Sequence, residues 1–222
     1  MFNNSLFLLF LMLLSGCQTT QITKGEAFPD MYNEKPTSIL VVPAINLTTA
    51  ADAAALYATT IAKPLAESGY YVFSIPFVDQ FLQQEGITDG EQVSNIPLTK
   101  FKEIFDADTV LFVTLNSWNT NYYVTGGNVT VGAKFELKST ASNQTIWQYD
   151  DIVVHNTSGN SGNIFADIIA TALATALVDY VPIAHVVNQR IVSSMPVGKY
   201  HQRHNTDAKD SGVIASKVSA IK

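Results

Sequence analysis

The chain opens with a nine-residue apolar run, Leu6 to Leu14, and then stays largely polar until Ser38. Nine residues fall well short of the roughly 20 that an α-helix needs to span a bilayer, so the run fits the apolar part of an export signal. From Ser38 the pattern changes. Ser38-Ile39-Leu40-Val41-Val42-Pro43 is a continuous apolar stretch stopped by proline, which predicts a buried strand. A helix is predicted from Ala51 to Ser68, with Leu56, Thr60 and Leu65 along one stripe and Gly69 as its stop; Pro64 inside it predicts a kink or a restart. Tyr70 to Ser74 reads as a second buried strand. Strand, helix and strand at this spacing predict a right-handed crossover and a parallel pair.

Two shorter helices follow: Phe77 to Glu85, with Phe77, Val78, Phe81 and Leu82 on its apolar face, and Leu98 to Phe105 between Pro97 and Asp106. Thr109 to Leu115 predicts a strand leading into an all-β stretch. Within it, Val129, Val131, Ala133, Phe135 and Leu137 alternate with Thr130, Gly132, Lys134, Glu136 and Lys138, the period-two pattern of a strand with one wet face. Turn residues on both sides predict an antiparallel meander of Tyr122 to Thr125, Val129 to Lys138 and Thr145 to His155. A long helix is predicted from Asn163, with Ile164, Ile168, Leu173, Leu177, Val181 and Ala184 as its apolar strip and a bend at Pro182. The expected class is α/β: a two- or three-layer mixed sheet, parallel βαβ in its first half, then an antiparallel meander and a long C-terminal helix.

Composition is that of a globular protein, 47% apolar, and the net charge of −6 gives no reason to expect a nucleic-acid partner. Cys17 is the single cysteine of the chain, which excludes an intrachain disulfide and a thiolate metal site. Its setting, Leu14-Ser15-Gly16-Cys17 directly after the apolar run, is that of a lipoprotein signal. Small residues admit a signal peptidase, and the Cys17 thiol takes a diacylglyceryl group. The departure is an n-region without Lys or Arg. Gln18 stands where an Asp commonly retains lipoproteins in the inner membrane, so the expected location is the outer membrane, facing the periplasm. The expected division is a cleaved signal peptide over 1–16, a lipidated cysteine and flexible tether over 17–37, a single α/β domain over 38–198, and a disordered tail over 199–222.

Candidate chemistry is sparse, and no catalytic, cofactor or metal residue is expected. His201 and His204 have a spacing that suits a metal only on a helix, with no fixed carboxylate beside them. His155 and His185 read as structural or surface residues. Asp106 and Asp108 read as a helix-to-strand turn, and adjacent Asp150 and Asp151 point to opposite faces of a strand. No Gly-x-Ser-x-Gly elbow or phosphate-binding glycine loop is present. Trp118, Tyr122, Tyr123, Trp147 and Tyr149 form an aromatic set that suits either a core or a protein interface.

Several segments carry a resemblance: Lys35 to Pro43, Pro64 to Phe73, Ile96 to Phe105, Ala107 to Phe112, and Met195 to His201. They are similar to a family of Gram-negative lipoproteins of unassigned function that includes a meningococcal vaccine candidate. That resemblance covers almost the whole mature chain. It implies an α/β domain like the N-terminal domain of TolB and curli-secretion-type lipoproteins, and an accessory role in an envelope transport or assembly complex. Asp106 stands where a typical member has Gly. The resulting expectation is a non-enzymatic lipoprotein that binds other envelope lipoproteins or transport components, held in the membrane through acyl chains on Cys17. Self-association through an open sheet edge or the alanine-rich last helix is a secondary expectation. The alternatives are a surface-exposed antigen or adhesin and an envelope hydrolase.

Overall fold

The structure is a computed structural model that describes residues 20–123, 126–156 and 180–218. In chain order its elements are β1 (Gln21–Thr23), α1 (Lys24–Ala27), α2 (Pro29–Glu34), β2 (Ser38–Val41), β3 (Ile45–Asn46), α3 (Ala53–Glu67), β4 (Tyr71–Val72), α4 (Ile75–Gln84), α5 (Gly90–Ser94) and α6 (Leu98–Phe105). After these come β5 (Thr109–Tyr123), β6 (Gly126–Ser139), β7 (Thr145–Asn156), α7 (Tyr180–Ser194), β8 (Ser211–Ile214) and a 3₁₀ turn, Ala215–Lys217. The expected run from Asn163 to Asp179 lies outside the described residues, as does the signal segment with Cys17.

The main sheet runs β4-β2-β5-β6-β7, with β3 pairing β5 beyond the end of β2. β2 is parallel to β4 and to β5, while β5, β6 and β7 are antiparallel neighbours. The mixed sheet and its order of parallel then antiparallel pairing are therefore those the hydrophobic pattern predicts. Alternation along β2 and β5 sends Ile39, Val41, Leu111 and Val113 to one core and Leu40, Val42, Val110 and Phe112 to another. The first core is closed by α3 and α7, the second by α4, α5 and α6. Among the described residues the parallel half thus has three layers, and the antiparallel half two. On β6, Val129, Val131, Ala133, Phe135 and Leu137 are fully buried, whereas Ile152 and Val154 of β7 lie exposed on the uncovered face.

Three expectations need correction. Pro64 neither splits nor restarts the helix: α3 is continuous through it, and Asn188 of α7 donates to Thr60 Oγ1 at 2.8 Å to tie the two helices together. On α4 the buried positions are Ile75, Val78 and Leu82, and Phe77 is exposed, because Ile75 at the first turn rotates the buried stripe away from it. The third concerns the chain ends. Residues 17–37 do not all form a tether, since β1, α1 and α2 occupy most of that span, and residues 199–218 do not form a disordered tail, since β8 pairs antiparallel with β1.

What fastens the C-terminal segment is a close backbone contact. Gly198 N–H donates to Ser68 O at 2.8 Å and Tyr200 N–H to Gly69 O at 2.9 Å, with Gly69 in the left-handed region at φ 88°. A Cβ on Gly198 would overlap the Gly69 carbonyl and press on the Tyr70 ring. Gly198→Ala is therefore expected to destabilise the domain by about 2–3 kcal/mol, because backbone on both sides has to move. Urea denaturation of the variant measures it.

Candidate functional site

Most buried polar side chains serve as fasteners between segments distant in sequence. Asp108, at the entrance to β5, accepts the amides of Thr37 (2.9 Å) and Ser38 (3.1 Å), and its own amide donates to Ser38 Oγ at 2.9 Å. Asp106 adopts the left-handed C-cap of α6 (φ 52°) and pairs with Lys102 at 2.7 Å, an ammonium that also lies 3.7 Å from Asp108 Oδ1. Glycine reaches that conformation freely, so the Gly that the family resemblance implies at this position would suit the same cap. The two carboxylates therefore meet at one ammonium. Asp150 and Asp151, by contrast, are separated across the sheet: Asp151, 1% exposed, pairs with Lys217 and with Arg190 at 3.8 Å.

The second fastener is Asp207. It accepts from Lys24 Nζ (3.4 Å), Tyr32 Oη (3.1 Å) and the Val197 amide (2.9 Å), while Lys24 also donates to Met195 O at 2.7 Å. Burial and the Asp207 charge push the Tyr32 hydroxyl well above its ordinary range. Tyr70, raised by burial, donates to Pro196 O at 2.5 Å. His201 Nδ1 accepts from the Arg203 amide at 3.1 Å and His204 Nδ1 lies 3.3 Å from Val197 O, so both rings are engaged locally. Among the described residues no group of three His, Cys, Asp or Glu side chains is placed to hold a metal. Of the aromatic set, Trp118, Trp147 and Tyr149 are buried and belong to the core; the side chains of Tyr122 and Tyr123 are outside the description.

An open groove of about 680 Å³ lies between α3 and β4. One wall is the stripe Ala55, Ala58, Ala62 and Ala66, spaced to share a helix face; the other is Val72 to Pro76 with Asp79 of α4. Tyr71 and Phe73 direct their amides to Thr37 O (2.9 Å) and Ile39 O (3.2 Å) of the β2 side. Alternation in a parallel strand therefore turns the N–H and C=O of Val72 to the open edge. Asp79 Oδ1 is buried without a hydrogen-bond partner, and desolvation raises the carboxyl above its ordinary value. Neither the stripe nor Asp79 stands out in the sequence by residue type; the spacing of the four alanines is the available signal.

The sign of the Asp79 shift makes a prediction. A carboxyl whose folded pKa is raised holds its proton more tightly when folded, so stability is full below the ordinary carboxylate range and declines as pH rises through the raised value. Asp79→Asn is expected to be more stable than the wild type at neutral pH, with the difference vanishing in acid. Thermal unfolding at several pH values checks it.

Among the described residues no helix is long and apolar enough to cross a membrane. A family model described as "Putative lipoprotein GNA1162-like" matches residues 27–200. The chain is 26% identical over 169 residues to "Putative lipoprotein NMB1124/NMB1162" of Neisseria meningitidis serogroup B, covering 75% of this chain and 78% of that protein. It is also similar to the crystal structure of lipoprotein GNA1162 from Neisseria meningitidis, with a TM-score of 0.53 and 30% identity over 63% of this chain and 96% of that one. The PelC dodecamer from Paraburkholderia phytofirmans gives a TM-score of 0.45 at 16% identity, covering 72% and 88%.

Proposed function

The chain belongs to the GNA1162-like lipoprotein family, and from that membership we propose a non-enzymatic protein, anchored in the outer membrane through acyl chains on Cys17, whose periplasmic domain binds partners of an envelope transport or assembly complex. The observation that carries the binding role is the groove between α3 and β4. Among the described residues it joins an apolar wall, an unpaired strand edge and a carboxylate, Asp79, whose buried Oδ1 has no donor. An extended segment of a partner protein meets all three: its backbone adds to the Val72 edge, apolar side chains settle on the alanines, and one Lys or Arg reaches Asp79. Self-association through the same edge is a secondary form of this proposal, and sedimentation at high concentration tests it.

The test is affinity capture from crosslinked envelopes. Thr59 lies exposed in the groove, so Thr59→Trp fills it while leaving the core untouched. The expected result is a defined set of envelope proteins captured by the wild type and lost with Thr59→Trp. Unchanged capture by a folded Thr59→Trp protein would remove the groove from the account.

A further inference from the structure

The fold takes hold of the chain almost immediately after the anchor position. Thr20 O already accepts the Ala215 amide at 3.0 Å, and Gln21 and Ile22 are in register with Ile214 and Val213. Lys24 and Gly25 donate their amides to Asp210 O (3.0 Å) and Ala208 O (2.9 Å), and Thr23 with Glu26 forms a reciprocal capping box on α1. The Lys24–Asp207 pair then fixes this segment from beneath, with side chains 12% and 0% exposed. Three peptide units join residue 17 to residue 20. A fully extended chain advances at most about 3.6 Å per residue, so Thr20 lies within roughly 11 Å of Cys17.

We infer that the domain is seated directly on the bilayer, with the surface formed by β1, β8 and the Ala215–Lys217 turn against phospholipid headgroups. This rests on the proposed lipidation of Cys17. The charge of the surface fits the contact: Lys217 and Arg190 share the single carboxylate of Asp151, leaving a net positive patch on a chain whose overall charge is −6. Arg190, 57% exposed and only loosely paired with Asp151 at 3.8 Å, can reach an anionic headgroup. Attraction of this kind acts within a Debye length, about 8 Å at physiological salt, a distance comparable with the reach the chain allows. Gln21, Ser211 and Ser216, exposed around the patch, are polar and uncharged, and the acidic groups nearby are engaged, Glu26 by Thr23 in the capping box and Asp210 by Arg203 at 2.7 Å.

The experiment uses the full lipidated chain reconstituted into vesicles of phosphatidylethanolamine with a minor part of phosphatidylglycerol. With Cys17 acylated, Ser216→Cys supplies one reactive thiol for a fluorophore, and Thr99→Cys, on α6 across the sheet, supplies the reference. Headgroup spin-labelled lipid is expected to quench the probe at 216 several-fold more than the probe at 99. A ten-residue Gly/Ser spacer inserted after Gln18 is expected to relieve most of that quenching. Equal quenching at both positions, on protein whose acyl mass is confirmed, would overturn the seat on the membrane while leaving the anchor intact. Protein that neither binds vesicles nor carries acyl mass on Cys17 would overturn the anchor, and the seat with it.

Discussion

Replacing Asp207 with alanine is expected to cost about 3–5 kcal/mol and to release both ends of the chain from the domain. The carboxylate is fully buried and serves three donors at once: Lys24, Tyr32 and the Val197 amide. Truncation leaves an ammonium that is nearly buried with only the Met195 carbonyl for company. The loss should exceed that of an exposed pair, because removing one partner of a buried pair strands the other charge in a medium that solvates it poorly. Asp210→Ala, which removes a surface contact with Arg203, is the matched control and should change stability little. Urea denaturation gives the energy. Limited proteolysis gives the location: Arg203 and Lys209 should become cleavable in Asp207→Ala before the core opens.

The second large effect concerns location. Cys17→Ser is expected to move the protein from the membrane fraction to the soluble one. A single buried chain gives only marginal, reversible binding, whereas a diacylglyceryl group supplies two chains, and three once a further acyl chain is added, at about 0.8 kcal/mol per buried CH₂. The basic patch around Lys217 and Arg190 adds too little to hold the domain alone, since surface charges of this kind contribute about 1 kcal/mol each. Cell fractionation with detergent-phase partitioning measures the shift. Retention of Cys17→Ser in the membrane would show that attachment runs through something other than the thioether.

How much of this was legible beforehand varied with the range of the interactions responsible. The β6 pattern could be read because burial there follows from alternation alone: each of Val129, Val131, Ala133, Phe135 and Leu137 faces the core. The parallel pairing of β2 and β4 followed equally from local spacing. The chain ends could not be read in this way. Their polar residues lack a hydrophobic period, and their order comes from pairing across the whole sequence, Lys24 with Asp207 and Gln21 with Ile214. The aromatic set could be read only as core or interface, and Trp118, Trp147 and Tyr149 prove to be core. A register shift near Leu137 places both Ile146 and Trp147 inside the core, against simple alternation. The groove has little signature in the sequence, because alanines signal nothing by hydropathy and Asp79 is distinguished only by a buried Oδ1 without a donor.

The central claim is that a membrane-held domain binds a protein partner along the α3–β4 groove, and it is tested most directly by site-specific photocrosslinking in intact envelopes. A photoreactive residue placed at Ala66, in the groove, should give discrete crosslinked species that disappear with Cys17→Ser or Asp79→Lys. The same residue at Ile104, exposed on α6, should give none. Crosslinks that are equal at the two positions, or that persist unchanged in Asp79→Lys, would contradict the account.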